Sequence, residues 1–151
     1  MGNQVEPKLT EELLPLLQSE RFVTIATVDH ETGTPNVNAI SWVFAPSQEK
    51  VRFAVDNRSR IIENINNHSG VTLNLIGNGS TYSIVGDASV IQEKMNDVPL
   101  KLALVEINIK EVRDVMFYGA RIAVEPKYEK TYDANAAAKL DSQVMDSMKK
   151  A

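Results

Sequence analysis

Two arginines flank a serine in the stretch "FAVDNRSRIIENINN", residues 53–67. It reads as the end of a strand, a polar turn and a short helix carrying Ile61, Ile62 and Ile65. A helix N-terminus already carries partial positive charge and favours acidic side chains. Arg58 and Arg60 therefore stand at the wrong end, unless they serve an anion. Free N–H groups at the helix start, the Ser59 hydroxyl and two guanidinium groups would converge on a phosphate. The alternative is a solvated turn whose arginines pair with Glu63 or another nearby carboxylate. A second feature is "NVNAISWVF", where Asn38 and Ser41 interrupt an otherwise apolar strand that also carries the single tryptophan, Trp42. Such a strand suits a flat heteroaromatic ligand whose polar edge meets backbone N–H and C=O groups. Alternatively, Trp42 belongs to the core and the polar side chains face solvent.

Other candidates carry less. His30 and His68, the two histidines, are expected at the surface, with no clustered ligands at metal spacing. No Gly-x-Ser-x-Gly elbow is present. "IGNGST" looks like a phosphate loop but precedes a strand, so a hairpin turn is the better reading. The Asn-x-Ser triplets at Asn57, Asn67 and Asn78 lack a secretory context.

Composition narrows the classes. A net charge of −4 and a pI near 5.2 argue against a general nucleic-acid binder. Without cysteine there is no disulfide, thiol catalysis or thiolate metal site. The opening "MGNQVEPKLTEELLPLL" lacks a signal-peptide pattern and fits the myristoylation pattern poorly. No apolar run reaches membrane-spanning length. A cytoplasmic protein with no nucleic-acid or membrane partner is expected, forming one domain over residues 1–151.

The elements that must position these residues are mostly strands. "EPKLTEELLPLLQSE" predicts a short helix with Thr10 as N-cap and Pro15 as a disturbance. Strands are predicted over 21–29, 36–45 and 51–55, then a helix over 58–66. Two more, 71–77 and 80–92, are joined by Asn78-Gly79, a strong hairpin signal. A sixth lies within 100–117, and "YGARIAVEP" is a possible short seventh. The tail, about 134–150, predicts an amphipathic helix capped by Asp133 or Asn135, with Ala137, Leu140, Val144 and Met148 in one stripe. The fold class is α+β, mainly β: a six- to seven-stranded antiparallel split barrel with flanking helices. Several strands are apolar on both faces, which calls for cover by a helix or a second subunit.

The order "RFVTIATVD…TGTPNVNAISWVFA…KVRFAVDNRSRIIENINN…VTLNLIG…YSIVGDASVI" resembles the pyridoxamine 5′-phosphate oxidase-like FMN-binding split barrels from about Arg21 to Phe117. The shared pieces are a Thr-Val-Asp strand end, Gly-x-Pro opening the next strand, Ser-Arg opening a helix, and the Val-Gly-x-Ala of "YSIVGDASVI". The resemblance implies a homodimer with FMN at the interface. It assigns the isoalloxazine contacts to Asn38, Ala39, Ile40, Ser41 and Trp42. It assigns the phosphate to Ser59 and Arg60 with Arg58 beside them. Ser80, Thr81 and Tyr82 would reach a flavin of the same or the partner subunit. Two departures stand out. The family's lysine after Ser-Arg is Ile61 here, so Arg58 takes over that charge or the phosphate is held less tightly. The arginine-bearing C-terminal segment that grips vitamin B6 phosphate is not recognisable around Arg121. The resemblance thus implies flavin binding more strongly than vitamin B6 oxidation.

The expected function is an FMN-dependent oxidoreductase acting on a small molecule, with Tyr118 and Arg121 as minor candidates to line its pocket. The alternatives are a non-catalytic flavin-binding or stress-related protein, a split barrel binding haem or a deazaflavin, and a barrel that only dimerises.

Overall fold

The computed structural model describes residues 4–151. Its strands are β1 (Val5–Glu6), β2 (Val23–Val28), β3 (Pro35–Ile40), β4 (Val43–Ser47), β5 (Lys50–Asp56), β6 (Gly70–Gly77), β7 (Ser80–Gln92) and β8 (Leu102–Asp114). Two α-helices accompany them, α1 (Arg60–Asn67) and α2 (Ala134–Lys150). The sheet is antiparallel in the order β3-β2-β6-β7-β8-β5-β4, with β1 added along β8.

β3 and β4 stand at opposite ends of that order, yet only Ser41 and Trp42 separate them in the chain. Three Cα steps reach roughly 10 Å, so the sheet must curl until its ends meet at this corner. The two strands share no ladder, which makes the barrel split. The single strand expected over 36–45 is therefore two strands. Ser41 O accepts from Arg21 N–H and Val43 N–H, both at 3.0 Å, and Trp42 O accepts from Ala54 N–H at 3.0 Å. Those bonds hold the corner.

Inside the barrel, Val23, Ile25, Val43, Phe53, Leu73, Leu75, Ile84 and Ile107 pack together. Leu9, Leu13 and Leu17 from the N-terminal segment join the same cluster. The helix expected there is only a 3-10 turn, Leu14–Leu17, with Pro15 in its first positions. Proline fits a helix start and breaks an interior. Thr10 does act near the entry: its Oγ1 accepts from Leu13 N–H at 3.2 Å. The seventh strand expected at "YGARIAVEP" is absent. Residues 115–133 form no strand, and Ile122 N–H bonds Gly79 O at 2.7 Å outside any ladder.

Asn78 and Gly79 have φ of 51° and 77°, the left-handed pair of a type I′ turn, and join β6 to β7 as expected. Gly86, the glycine of Val-Gly-x-Ala, sits at a register shift between β7 and β8. A Cβ there would collide with the Asn108 carbonyl oxygen and the Ile107 side chain. Gly86→Ala is expected to cost about 1–3 kcal/mol of stability through overpacking, measurable by urea unfolding.

Each helix covers a different part. α1 turns Ile61 and Ile65 into the barrel cluster. α2 begins at its predicted cap, with Asp133 Oδ1 accepting from Asn135 N–H and Ala136 N–H. Its Val144, Met145 and Met148 pack with Ala54, Leu102 and Leu104, covering the β5 and β8 side of the barrel. On the other half, register places two rows on the outer face. One is Ala39, Thr24, Asn74 and Ser83; the other is Val37, Ala26, Thr72 and Val85. Neither row contains a charge. Val37 and Ala39 are exposed and the remaining six are half-buried. Among the described residues, no helix is long and apolar enough to cross a membrane.

Candidate functional site

α1 starts where the sequence places it. Ser59 is the N-cap, in extended backbone, and its Oγ accepts from Ile61 N–H at 3.2 Å. Capping uses the oxygen's lone pair and leaves the hydroxyl proton available to a ligand. Both arginines meet carboxylates, as the turn alternative required, but neither partner is Glu63. Arg58 contacts Asp56 through Nε at 3.3 Å and NH2 at 3.4 Å, with its side chain 85% exposed. A long exposed pair of this kind contributes little. Arg60 NH1 donates to Asp29 Oδ1 at 2.7 Å. Its side chain is 60% exposed, whereas that of Asp29 is 4% exposed. A guanidinium carries five N–H donors in a fixed fork, and Asp29 engages NH1 alone.

Asp29 follows the last residue of β2 and organises the turn into β3. Its Oδ2 accepts from Glu31 N–H (3.0 Å), Thr32 N–H (2.9 Å) and the Thr32 hydroxyl (3.1 Å). The Thr32 amide first, then Arg60, hold its carboxyl well below the usual carboxylate range, against the opposing effect of burial.

Beneath the arginines lies a buried polar network around Asn64, which is 0% exposed. Its Oδ1 accepts from His30 N–H and meets His30 Nδ1, each at 2.9 Å. Its Nδ2 donates to Thr27 Oγ1 at 2.9 Å and Asn36 Oδ1 at 3.0 Å. His30 Nε2 lies 2.9 Å from Glu63 and 3.3 Å from Glu31. His30 is thus half-buried and held on both ring nitrogens, not the free surface residue expected. His68 is exposed as expected. Among the described residues, no His, Asp and Glu cluster could hold a metal.

Through Asn64, α1 is tied to β3. Asn36 and Asn38 share a sheet face with Thr27 and Ile25, and lie about 7 Å apart along the strand. The face of β3 carrying Asn38 and Ile40 is therefore on the α1 side, while Ala39 looks to the outer face. As a terminal strand of the sheet, β3 has one edge without a ladder partner, so its backbone groups there can meet a ligand.

The remaining candidates separate from this group. Ser41 donates to Glu20 at 2.7 Å, and Trp42 Nε1 donates to Asp141 at 2.8 Å. Lys130 bridges Glu20 and Asp141, with Nζ 5.8 Å from the Trp42 ring centroid. The Trp42 side chain thus serves the join between the corner and α2. Ser80 is buried and donates to Asp114 at 2.6 Å. Thr81 lies on the outer face and accepts from Asn74 Nδ2 at 2.7 Å. Tyr82 faces the other way, beside Thr10, Leu13 and Asp114. Three strand spacings, about 14 Å, separate β7 from β3, so one protomer does not join Thr81 to Asn38 in a single pocket. Tyr118 is fully exposed and Arg121 is exposed, both on the irregular segment after β8.

The profile of the family described as Pyridoxamine 5′-phosphate oxidase matches residues 9–116, most of the chain. The chain belongs to the pyridoxamine 5′-phosphate oxidase-like family. The match spans the barrel from Leu9 through β8 and ends before α2. The fold is shared with solved structures of diverse description. One is a Lactobacillus delbrueckii protein provisionally described as a pyridoxamine 5′-phosphate oxidase. It is 24% identical, covers 71% of this chain and 94% of its own, and has a TM-score of 0.60. An F420 reductase is 20% identical over 69% of this chain and 98% of its own, with a TM-score of 0.57. HutZ, the heme storage protein of Vibrio cholerae, is 15% identical over 71% of this chain and 94% of its own, with a TM-score of 0.54. At these identities the likeness concerns the fold alone. Comparison with curated proteins finds no match.

Within the family's barrel, Asp29 and Asn64 are the residues that sequence reasoning left without a role at the site. Both had signals. Asp29 opens "DHETG", an Asx-turn pattern. Asn64 falls on the Ile61–Ile65 stripe of α1, where an apolar side chain belongs.

Proposed function

We propose that this protein is a cytoplasmic, homodimeric FMN-binding flavoprotein that acts as an oxidoreductase on a small molecule. The observation that carries the reading is Arg60: exposed, anchored at NH1 by Asp29, with Nε and NH2 left over at the capped start of α1. Such a fork suits a phosphate oxygen pair. The Ser59 hydroxyl and the weakly paired Arg58 add donors on the same turn. Arg58 here supplies the charge that Ile61 does not. The ring would lie along β3 at Asn38, Ala39 and Ile40, with Ser41 and Trp42 contributing backbone at the corner. The uncharged outer rows are the surface proposed for the second subunit. The distance from β3 to β7 favours a partner protomer as the source of Thr81, which lies on that outer face, whereas Ser80 is buried on Asp114 and Tyr82 faces away. Bound FMN supplies the redox chemistry, and the chain supplies position and hydrogen bonds.

A second reading, haem in place of FMN, draws on His68. It is exposed beside a recess lined by Ala26, Val28, Thr72 and Val85 on the outer face. A deazaflavin is the third option. Absorbance titrations of the purified protein with FMN, haem and a deazaflavin separate them. The expected result is saturable uptake of FMN with a shifted flavin spectrum. Uptake of haem with a sharpened Soret band, abolished by His68→Ala, would replace the FMN reading.

A further inference from the structure

We propose that Asp29 is the positioning residue of the phosphate anchor, aiming Arg60 and so setting the site's preference for a phosphorylated over an unphosphorylated flavin. This inference rests on the flavin reading and extends it to a residue that makes no ligand contact itself.

The two carboxylate oxygens of Asp29 have separate tasks. Oδ2 takes three donors of the β2–β3 turn, the Glu31 and Thr32 amides and the Thr32 hydroxyl. Oδ1 has one partner, Arg60 NH1 at 2.7 Å. A purely structural turn residue needs only the first oxygen. The second is buried, and a buried anionic oxygen requires a donor. Arg60 provides it, so a long and otherwise mobile side chain is fixed before any ligand arrives. Fixing it beforehand lowers the ordering cost of binding.

Asparagine at this position separates the two tasks. Its one amide oxygen must stay with the turn, where two backbone N–H groups and a hydroxyl converge. Its NH2 group then faces the Arg60 guanidinium, donor against donor. Asp29→Asn should therefore keep the turn and release Arg60.

The test measures FMN and riboflavin affinities in wild type, Asp29→Asn, Arg60→Ala and the double variant. Asp29→Asn is expected to weaken FMN about tenfold, the scale of one charge-assisted contact, with riboflavin unchanged. On the Arg60→Ala background it should add little. Thr32→Ala, which removes a bond to Oδ2 and the one that Thr34 N–H makes to the same hydroxyl but leaves Oδ1 with Arg60, should lower the melting temperature and keep the FMN-to-riboflavin ratio. If Asp29→Asn fails to fold, Asp29→Ser offers the turn a hydroxyl oxygen and Arg60 nothing, and the same ratio decides. A wild-type ratio in the Asp29 variant, alongside a lost ratio in Arg60→Ala, overturns the inference and spares the flavin reading. Tighter FMN binding in Asp29→Asn also overturns it, since Asp29 would then compete with the phosphate. A wild-type ratio in Arg60→Ala overturns both.

Discussion

Replacing Arg60 with alanine is expected to weaken FMN about ten- to a hundredfold while riboflavin binding hardly changes. Only FMN carries the group that Arg60 would grip, so the difference between the ligands isolates the contact from general damage. The same variant should lose stability in a pH-dependent way. Asp29 has a carboxyl depressed below its ordinary value of 3.8 in the folded protein. A depressed carboxyl contributes stability that is present above the unfolded value and lost as pH falls through the folded one. Arg60 is the second-largest cause of the depression, after the Thr32 amide. The stability gap between wild type and Arg60→Ala should therefore be widest near neutral pH and close only as pH falls well below 4, because the Thr32 amide still depresses the carboxyl in the variant. Urea unfolding at neutral and acidic pH reads it. A gap independent of pH would mean the Asp29–Arg60 pair adds nothing to folding.

Asn64→Ala is expected to destabilise the protein by about 2–4 kcal/mol. The amide uses both its oxygen and its NH2 group, and its partners are themselves largely enclosed. Alanine leaves the His30 N–H and the Asn36 and Thr27 oxygens without those bonds, in a space too confined for easy rearrangement. The effect should also be local. β3 is held by β2 on one edge and by Asn64 through Asn36. Its amides should exchange hydrogen faster in the variant than those of β7, which is paired on both sides. A stable variant with unchanged β3 protection would show that the network does not tie α1 to the strand.

The fold was legible wherever local pattern and local geometry agree. β6, β7 and their Asn78-Gly79 turn follow from alternation and from the left-handed backbone those two residues accept. α2 follows from the Asp133 cap and one apolar stripe. The misreadings arose where tertiary closure decides. Nothing in "NAISWVF" marks a corner; Ser41 and Trp42 turn because the two ends of the sheet must meet there. "YGARIAVEP" has strand-like composition, but β8 already pairs with β7 and β5, and β7 with β6 and β8. The site was legible in its charges and not in their support. Arg58-Ser59-Arg60 stands out because it opposes the helix dipole. The carboxylate that pairs with Arg60 lies thirty-one positions away in sequence, and only the fold brings it near.

The most direct measurement is a fluorescence titration of purified cofactor-free protein with FMN and, in parallel, with riboflavin. Micromolar or tighter binding of FMN and much weaker binding of riboflavin are expected, because only the FMN phosphate would meet Ser59, Arg60 and Arg58. Equal affinity for the two, or binding of neither, would contradict that expectation and return the arginines to the role of paired turn residues.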